Sequence, residues 1–510
     1  MGKIIYRSLG PQARSAMGIE YRPPVESPEV REILTRYRDV WALYYGLSLI
    51  GWDMETYMPP GAAAERGEAR ATLQKIVQGL MTHPEFVSLV ESARPRNDFE
   101  AGVIRVLKRD IEYYTKLPPE FVEEEARVTT RAYAEWVKAK GRDDFQSFAQ
   151  TLERVFELQR RKAEYLGYED HPYDALLNRF EEGFTVKDCE RLFSVVDELS
   201  GLFKRIAEGR PREHPLEGEE YDRESMSRLN EHILHVLGFD FNRGRMDVSP
   251  HPFTSGIGLD DVRITTWYHP RDFRRSLLAV VHEFGHASYD MNIDRAYWAT
   301  PVQEGASYGI HESQSRFWEN VVGRSREFVE ATFHEMALAL PFLRTYAPGD
   351  VYEYFTLVRP ELIRVEADEV HYGLHIYLRY EIEKSMLEGS LEVKELPGMW
   401  NEEMERLIGV RPRGYADGVI QDVHWSLGYV GYFPTYFIGT VLAAQLGSKI
   451  PELGEKIAQR RFGEIMEFLR ERVQRWGSVY SPKELVRRAI GEDIDPESFV
   501  RYVRSKYLGS

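Results

Sequence analysis

Near the middle of the chain stands VHEFGHA, which places His282, Glu283 and His286 in an HExxH pattern. Histidines four apart on a helix lie one turn from each other on the same face, so both imidazoles can reach a single cation. Glu283 projects roughly 100° around the helix, beside that cation, where a carboxylate can take a proton from an attacking water. The pattern is a zinc peptidase in outline: two ligands, an open coordination position and a base. A bare match is also compatible with a helix-surface charge flanked by two ordinary histidines. The patterns elsewhere in the chain decide against that reading.

Such a site needs a helical frame, and the sequence supplies one. SPEVREILTRYRDVWALYYGLSLI, GAAAERGEARATLQKIVQGLMTH, DFEAGVIRVLKRDIEYYTKL, PPEFVEEEARVTTRAYAEWVKAK and SFAQTLERVFELQRRKAEYLGY each repeat apolar residues every three or four positions. Segments 186–205 and 222–237 read the same way. DDVRITTWY, 260–268, alternates and is rich in β-branched and aromatic residues, which makes it the best strand candidate. HPRDFRRSLLAVVHEFGHASYD then reads as a helix with Pro270 near its start. The expected fold is mostly α: a large two-lobed helical body around a cleft, with a small β-sheet beside the zinc helix. An edge strand there can pair with an extended peptide through backbone hydrogen bonds, which accept any side chain.

No Ser/Gly linker, low-complexity tract or clear repeat interrupts the 510 residues. One catalytic unit over 1–510 is expected. Its first part, 1–240, is mainly helical and forms one side of the cleft, and 241–510 carries the metal- and substrate-binding residues. The apolar share of 43% is enough for a sizeable core. A net charge of -16 argues against nucleic-acid binding. One cysteine, Cys189, excludes an intramolecular disulfide and is read as a packed thiol. MGKIIYRSLG has no leader-like apolar stretch and no run of 18 apolar residues occurs, so a cytoplasmic protein without a membrane span is expected.

A catalytic zinc needs a third protein ligand, and TPVQEGASYGIHESQSRFWENVVG offers Glu304, His311, Glu312 and Glu319. Glu304 and Glu312 would stand about 12 Å apart on a continuous helix, so only one reaches the ion. The turns after Glu312 can anchor it through Phe317, Trp318 and Val321. Glu304 follows Pro301 beside Gly305, where a turn or a first helical turn is expected. Chemistry favours Glu312, with Glu304 a serious rival.

Several separate patterns resemble the M32 family of metallocarboxypeptidases, the thermostable carboxypeptidase group. They are WDMETYMPP at 52–60, HPF at 251–253, DVRIT at 261–265, HEFGH at 282–286, HES at 311–313, IRVEAD at 363–368 and GVIQDVHW at 418–425. They run in family order. The resemblance implies His282, His286 and Glu312 as ligands of one Zn2+, with Glu283 as base. It also implies a saddle-like helical fold similar to neurolysin and the angiotensin-converting peptidases, in which the cleft is a deep substrate groove, a homodimer, and removal of single C-terminal residues with broad specificity. The first twenty residues match none of these patterns.

Beyond the metal, an oxyanion needs a donor. In neurolysin-like folds a His and a Tyr about twelve positions later do this work, which points here to His424 and Tyr436, with Tyr429 a further phenol near the substrate backbone. Aromatic packing is the plain alternative in a chain with 30 tyrosines. A carboxypeptidase must also hold a terminal carboxylate, for which the planar fork of arginine is suited. The candidates are Arg364, set between apolar residues, and Arg263, which could instead brace the strand to Asp261. Asp290, Asp368 and Glu319 are the acids available to orient a ligating imidazole. His371 and His375 share ligand spacing but lack an adjacent base, and read as wall or core. Trp52, Asp53 and Met58 read as ties between N-terminal helices.

The sequence therefore points to a zinc-dependent carboxypeptidase acting on peptides, in which Co2+ can replace Zn2+. An oligoendopeptidase or peptidyl-dipeptidase of the same fold is the nearest alternative. A non-catalytic, zinc-containing peptide-binding protein is the alternative of another class, and the intact Glu283 speaks against it.

Overall fold

The computed structural model describes residues 22–211 and 213–509. The leader-free reading of MGKIIYRSLG falls outside them. Prolines start many of the helices, at Pro28–Thr56, Pro84–Ser92, Pro119–Arg142 and Pro172–Phe180. The first turn of a helix has no use for the missing N–H, and the fixed φ is already helical. Side-chain caps start others: Asn97 accepts from Glu100 at the head of Asp98–Lys116, and Asp222 accepts from Ser225 at the head of Arg223–Leu237. The segment expected as one helix over 186–205 is broken. Val186–Leu192 and Val196–Glu208 flank a 3-10 turn at Phe193–Val195.

Buried side chains from Val30 to Val503 form one continuous apolar cluster. Cys189 is a buried free thiol within it. No helix among the described residues is long and apolar enough to cross a membrane.

The sheet has three strands, β1 (Gly244–Val248), β2 (Thr254–Gly258) and β3 (Asp261–Thr266), in the order β1-β3-β2. β3 runs parallel to β1 and antiparallel to β2. The strand legible in the sequence is therefore the central one, and the two edges of the sheet belong to β1 and β2. The reason is compositional. β3 buries Val262, Ile264, Thr265 and Thr266 and needs cover on both faces. β2, TSGIG, is too rich in glycine to announce itself as a strand.

The helix that carries HExxH spans Phe273–Asn292. It begins at Phe273, capped by Asp272, three residues later than Pro270 suggested. The segment 301–307 is turns, so Glu304 precedes the next helix, Tyr308–Arg316, which Ser307 caps. That helix passes into a π-helical segment, Phe317–Gly323. Helix Pro434–Ser448 packs across both and is apolar all round, as a fully enclosed helix must be.

Candidate active site

Two glycines set how closely these helices meet. A Cβ on Gly285 would lie 2.4 Å from the Gln314 carbonyl oxygen and 2.4 Å from Ser315 Cα. A Cβ on Gly439 would lie 2.6 Å from Glu312 Cβ. The HExxH helix and the Pro434–Ser448 helix therefore touch the Tyr308–Arg316 helix backbone to backbone, and Glu312 is pressed toward the histidines. Ligand atoms of His282, His286 and Glu312 all fall within 4.8 Å of one another. Glu312 Oε2 lies 3.8 Å from His282 Nε2 and 3.4 Å from His286 Nε2. Glu304 is not in this cluster and lines a recess with Tyr37, Trp41 and Asp290.

The donor set fits a metal ion, and the hydrogen bonds behind it show how. His282 Nδ1 is 2.9 Å from Glu319 Oε2, an acceptor, so that nitrogen carries the proton and Nε2 is left with its lone pair. His286 Nδ1 is 2.7 Å from His311 Nδ1, and His311 Nε2 is 3.0 Å from Asp290 Oδ1. For His286 to offer Nε2 to a cation, its Nδ1 must carry the proton, so that His311 accepts from His286 and donates to Asp290. Both ligand histidines then turn bare Nε2 lone pairs toward a carboxylate oxygen. Three electron-rich atoms in a buried space need a cation, and His/His/Glu suits Zn2+.

Glu312 is ionised against its surroundings. Burial alone would raise its pKa, but the Arg316 guanidinium, foremost among the groups that oppose this, helps hold the carboxyl well below the usual range. Arg316 Nε donates to Glu312 Oε1 at 2.7 Å, which leaves Oε2 for the cluster. Glu319 is held down likewise, chiefly by Arg324, whose Nη2 bonds Oε1 at 2.8 Å. Glu283 is buried, and Thr254 on β2 donates to its Oε2 at 2.6 Å.

A second group of predicted residues assembles around GVIQDVHW. Arg364 is buried, with Nε and Nη2 bonded to Asp422 at 3.0 and 2.8 Å and Nη1 bonded to the Tyr372 hydroxyl at 3.0 Å. Arg379, fully buried, donates to the other oxygen of Asp422 at 2.6 Å. Two guanidinium groups share one carboxylate, so the cluster keeps a net positive charge. His424 Nε2 lies 3.3 Å from the Tyr436 hydroxyl. Burial, reinforced by Arg364, pushes the His424 pKa down to about 3, so the ring is neutral at ordinary pH. Burial also raises the Tyr436 phenol, which keeps its proton. Tyr429 is half exposed beside Tyr432.

Tyr372 joins the two groups, since the Arg316 guanidinium lies 4.2 Å from its ring centroid while Arg364 bonds its hydroxyl. Arg263 is placed apart from Arg364: its fork closes on Asp261 at 2.7 and 3.0 Å, and its face lies 4.2 Å from the Trp52 ring. Asp53 pairs with Arg66. His371 and His375 are fully buried, the first 2.8 Å from Asp368 and the second 3.1 Å from the Glu361 carbonyl.

A family model described as Carboxypeptidase Taq (M32) metallopeptidase matches residues 32–507. The chain belongs to that family. Thermostable carboxypeptidase 1 of Pyrococcus furiosus is 49% identical over 494 residues, 95% of this chain and 99% of the relative. Carboxypeptidase 1 of Bacillus subtilis is 34% identical, covering 90% of this chain and 94% of that one. Among solved structures, a Pyrococcus furiosus carboxypeptidase superposes with a TM-score of 0.93 at 49% identity, over 95% of this chain and 100% of that one. The M32 carboxypeptidase of Deinococcus radiodurans gives 0.90 at 33% identity, over 94% and 99%. The chain is thus a peptide hydrolase of the M32 carboxypeptidase family.

Sequence reasoning missed four participants. Arg316 was open to it, because a Glu and an Arg at i and i+4 pair on a helix. His311 stood among the candidate ligands, though not as the partner of His286 that the structure makes it. Thr254 and Tyr372 reach the site from 29 residues before Glu283 and 60 after Glu312, and no local pattern marks them.

Proposed function

We propose that this chain is a zinc-dependent carboxypeptidase that removes single residues from the C-termini of peptides with broad side-chain tolerance. The observation that carries the reading is the convergence of His282 Nε2 and His286 Nε2 on Glu312 Oε2 beside a buried Glu283. His282, His286 and Glu312 would hold the ion, which supplies Lewis acidity to polarise the scissile carbonyl and acidify water. Co2+ can take the same place.

Glu283 takes the proton from the attacking water and passes it to the leaving amine. Thr254 supports this by fixing one carboxylate oxygen and leaving the other for the water. Neutral His424 and protonated Tyr436 supply hydrogen bonds to the oxyanion, with Tyr429 at the open side of the substrate. Arg364, at the edge of a cluster with surplus positive charge, receives the terminal carboxylate. Arg263 we assign to a brace: Asp261 occupies its fork and is its sole carboxylate partner among the described residues, whereas the Asp422 that occupies the Arg364 fork is shared with Arg379, which leaves positive charge over. The free edge of β2 accepts the peptide backbone. Thr265 donates to the Phe253 carbonyl, so the alternation of an antiparallel ladder turns the N–H and C=O of Thr254 and Gly256 outward. The protein would work as a cytoplasmic homodimer.

The test is one peptide offered with a free and with an amidated C-terminus. Release of single residues from the free acid alone supports the reading. Equal internal cleavage of both would replace it with an oligoendopeptidase.

A further inference from the structure

A cavity of about 650 Å3 opens over the start of β2, between Phe253–Ser255 and helices Pro28–Thr56 and Ala63–Met81. Thr254 lines it, so it lies next to the residue that holds Glu283. Its charged lining consists of Arg70 and Lys75, and among the described residues no carboxylate lines it. Arg66, one turn earlier, is closed onto Asp53 at 2.5 Å. Arg70 instead rests 3.7 Å from Met54 Sδ, and neither it nor Lys75 meets a carboxylate among the described residues. The recess at the other end of β2 has the opposite sign, with Asp290 and Glu304.

The spacing suits an extended peptide. Arg70 and Lys75 are separated by about 7.5 Å along their helix axis and about 140° around it, so their flexible side chains reach the cavity from its two sides. Alternate side chains of an extended strand are spaced by about 6.7 Å. A backbone lying on the β2 edge would send alternate side chains toward those two cations, where tyrosines and Trp52 supply low-polarity walls. Resting on the carboxypeptidase reading, only one residue lies beyond the scissile bond, so the rest of a bound peptide is upstream of it.

We propose that this cavity is the subsite for upstream peptide residues, and that Arg70 and Lys75 make it select acidic side chains two positions apart. The test uses hexapeptides with one fixed C-terminal residue and Glu, Gln or Lys at alternate upstream positions, in both registers. The wild-type enzyme should favour Glu over Lys in kcat/KM by roughly fivefold to tenfold at low salt, the yield of two exposed ion pairs. Added salt should shrink the ratio. The double variant Arg70→Gln, Lys75→Gln should bring it to about one while leaving the Gln peptide unchanged, which also reports an intact fold. Lys75→Glu alone should lower the ratio too. A ratio near one in the wild type, or one that survives the double substitution, overturns the proposal. Absence of C-terminal release from every peptide would sink the carboxypeptidase reading itself, and the subsite with it.

Discussion

Thr254 occupies one oxygen of Glu283, and that division of labour predicts what each substitution does. Glu283→Gln keeps size and hydrogen bonding but cannot accept the water proton. Turnover should fall by roughly 10²- to 10⁴-fold, the usual share of a general base, while metal content measured by atomic absorption stays near one per chain. Glu312→Ala should lose most of the metal and Glu304→Ala should keep it; the reverse result would move the third ligand to Glu304. His311 makes a subtler case because it would not touch the ion. His311→Leu removes the acceptor for His286 Nδ1–H and strands the Asp290 carboxylate beside an apolar group. Metal affinity should weaken by roughly 10- to 100-fold in chelator competition, as for other partners of ligating histidines. An unchanged affinity would mean that His286 is oriented by packing alone.

Where helices meet, backbone contact replaces side-chain packing. Gly285→Ala should be costly although it adds one methyl in a helix, where alanine is ordinarily favoured. Its Cβ meets main-chain atoms of Gln314 and Ser315, which cannot swing aside. We expect a loss of about 1–3 kcal/mol, the usual range for overpacking, together with weaker metal binding as Glu312 is pushed away. Thermal melts with and without metal check both effects. Local and long-range information separate here. The HExxH pair, the helix periodicity and β3 were legible because each repeats within a few residues. Glu312 over Glu304 needed the family patterns, since spacing left both open. β1 and β2 were not legible: β2 is three-fifths glycine and serine, and its strand form comes from pairing with β3. The π-helical turn at Phe317–Gly323 was likewise hidden, because tertiary contacts decide which carbonyl each N–H chooses.

Over the whole molecule, two fully buried carboxyls anchor the site without belonging to it. Glu383 accepts from the Tyr173 hydroxyl, Trp425 Nε1 and the Gly431 N–H, and Glu181 accepts from Ser307 and the Gly309 N–H. Burial pushes each up to about 7, against the partial relief of these bonds. A raised carboxyl stabilises the fold fully below its unfolded pKa, near 4.5, and that contribution is lost as pH rises through about 7. Glu383→Gln, which stays neutral, should therefore gain on the wild type in Tm as pH rises from about 5 to 8. A Tm difference flat across that range would mean that Glu383 ionises as freely as in the unfolded chain. Light scattering should give twice the 59.4 kDa chain mass if the proposed dimer forms. The helix Glu497–Leu508 reaches back to the metal ligands' support: Tyr502 and Lys506 both donate to the Asn320 carbonyl, next to the Glu319 that holds His282. On the ribosome, Asn320 is made 182 residues before Tyr502. Until residues 502–506 are made, the Asn320 carbonyl beside Glu319 lacks both of these donors, so the last helix completes the packing behind His282.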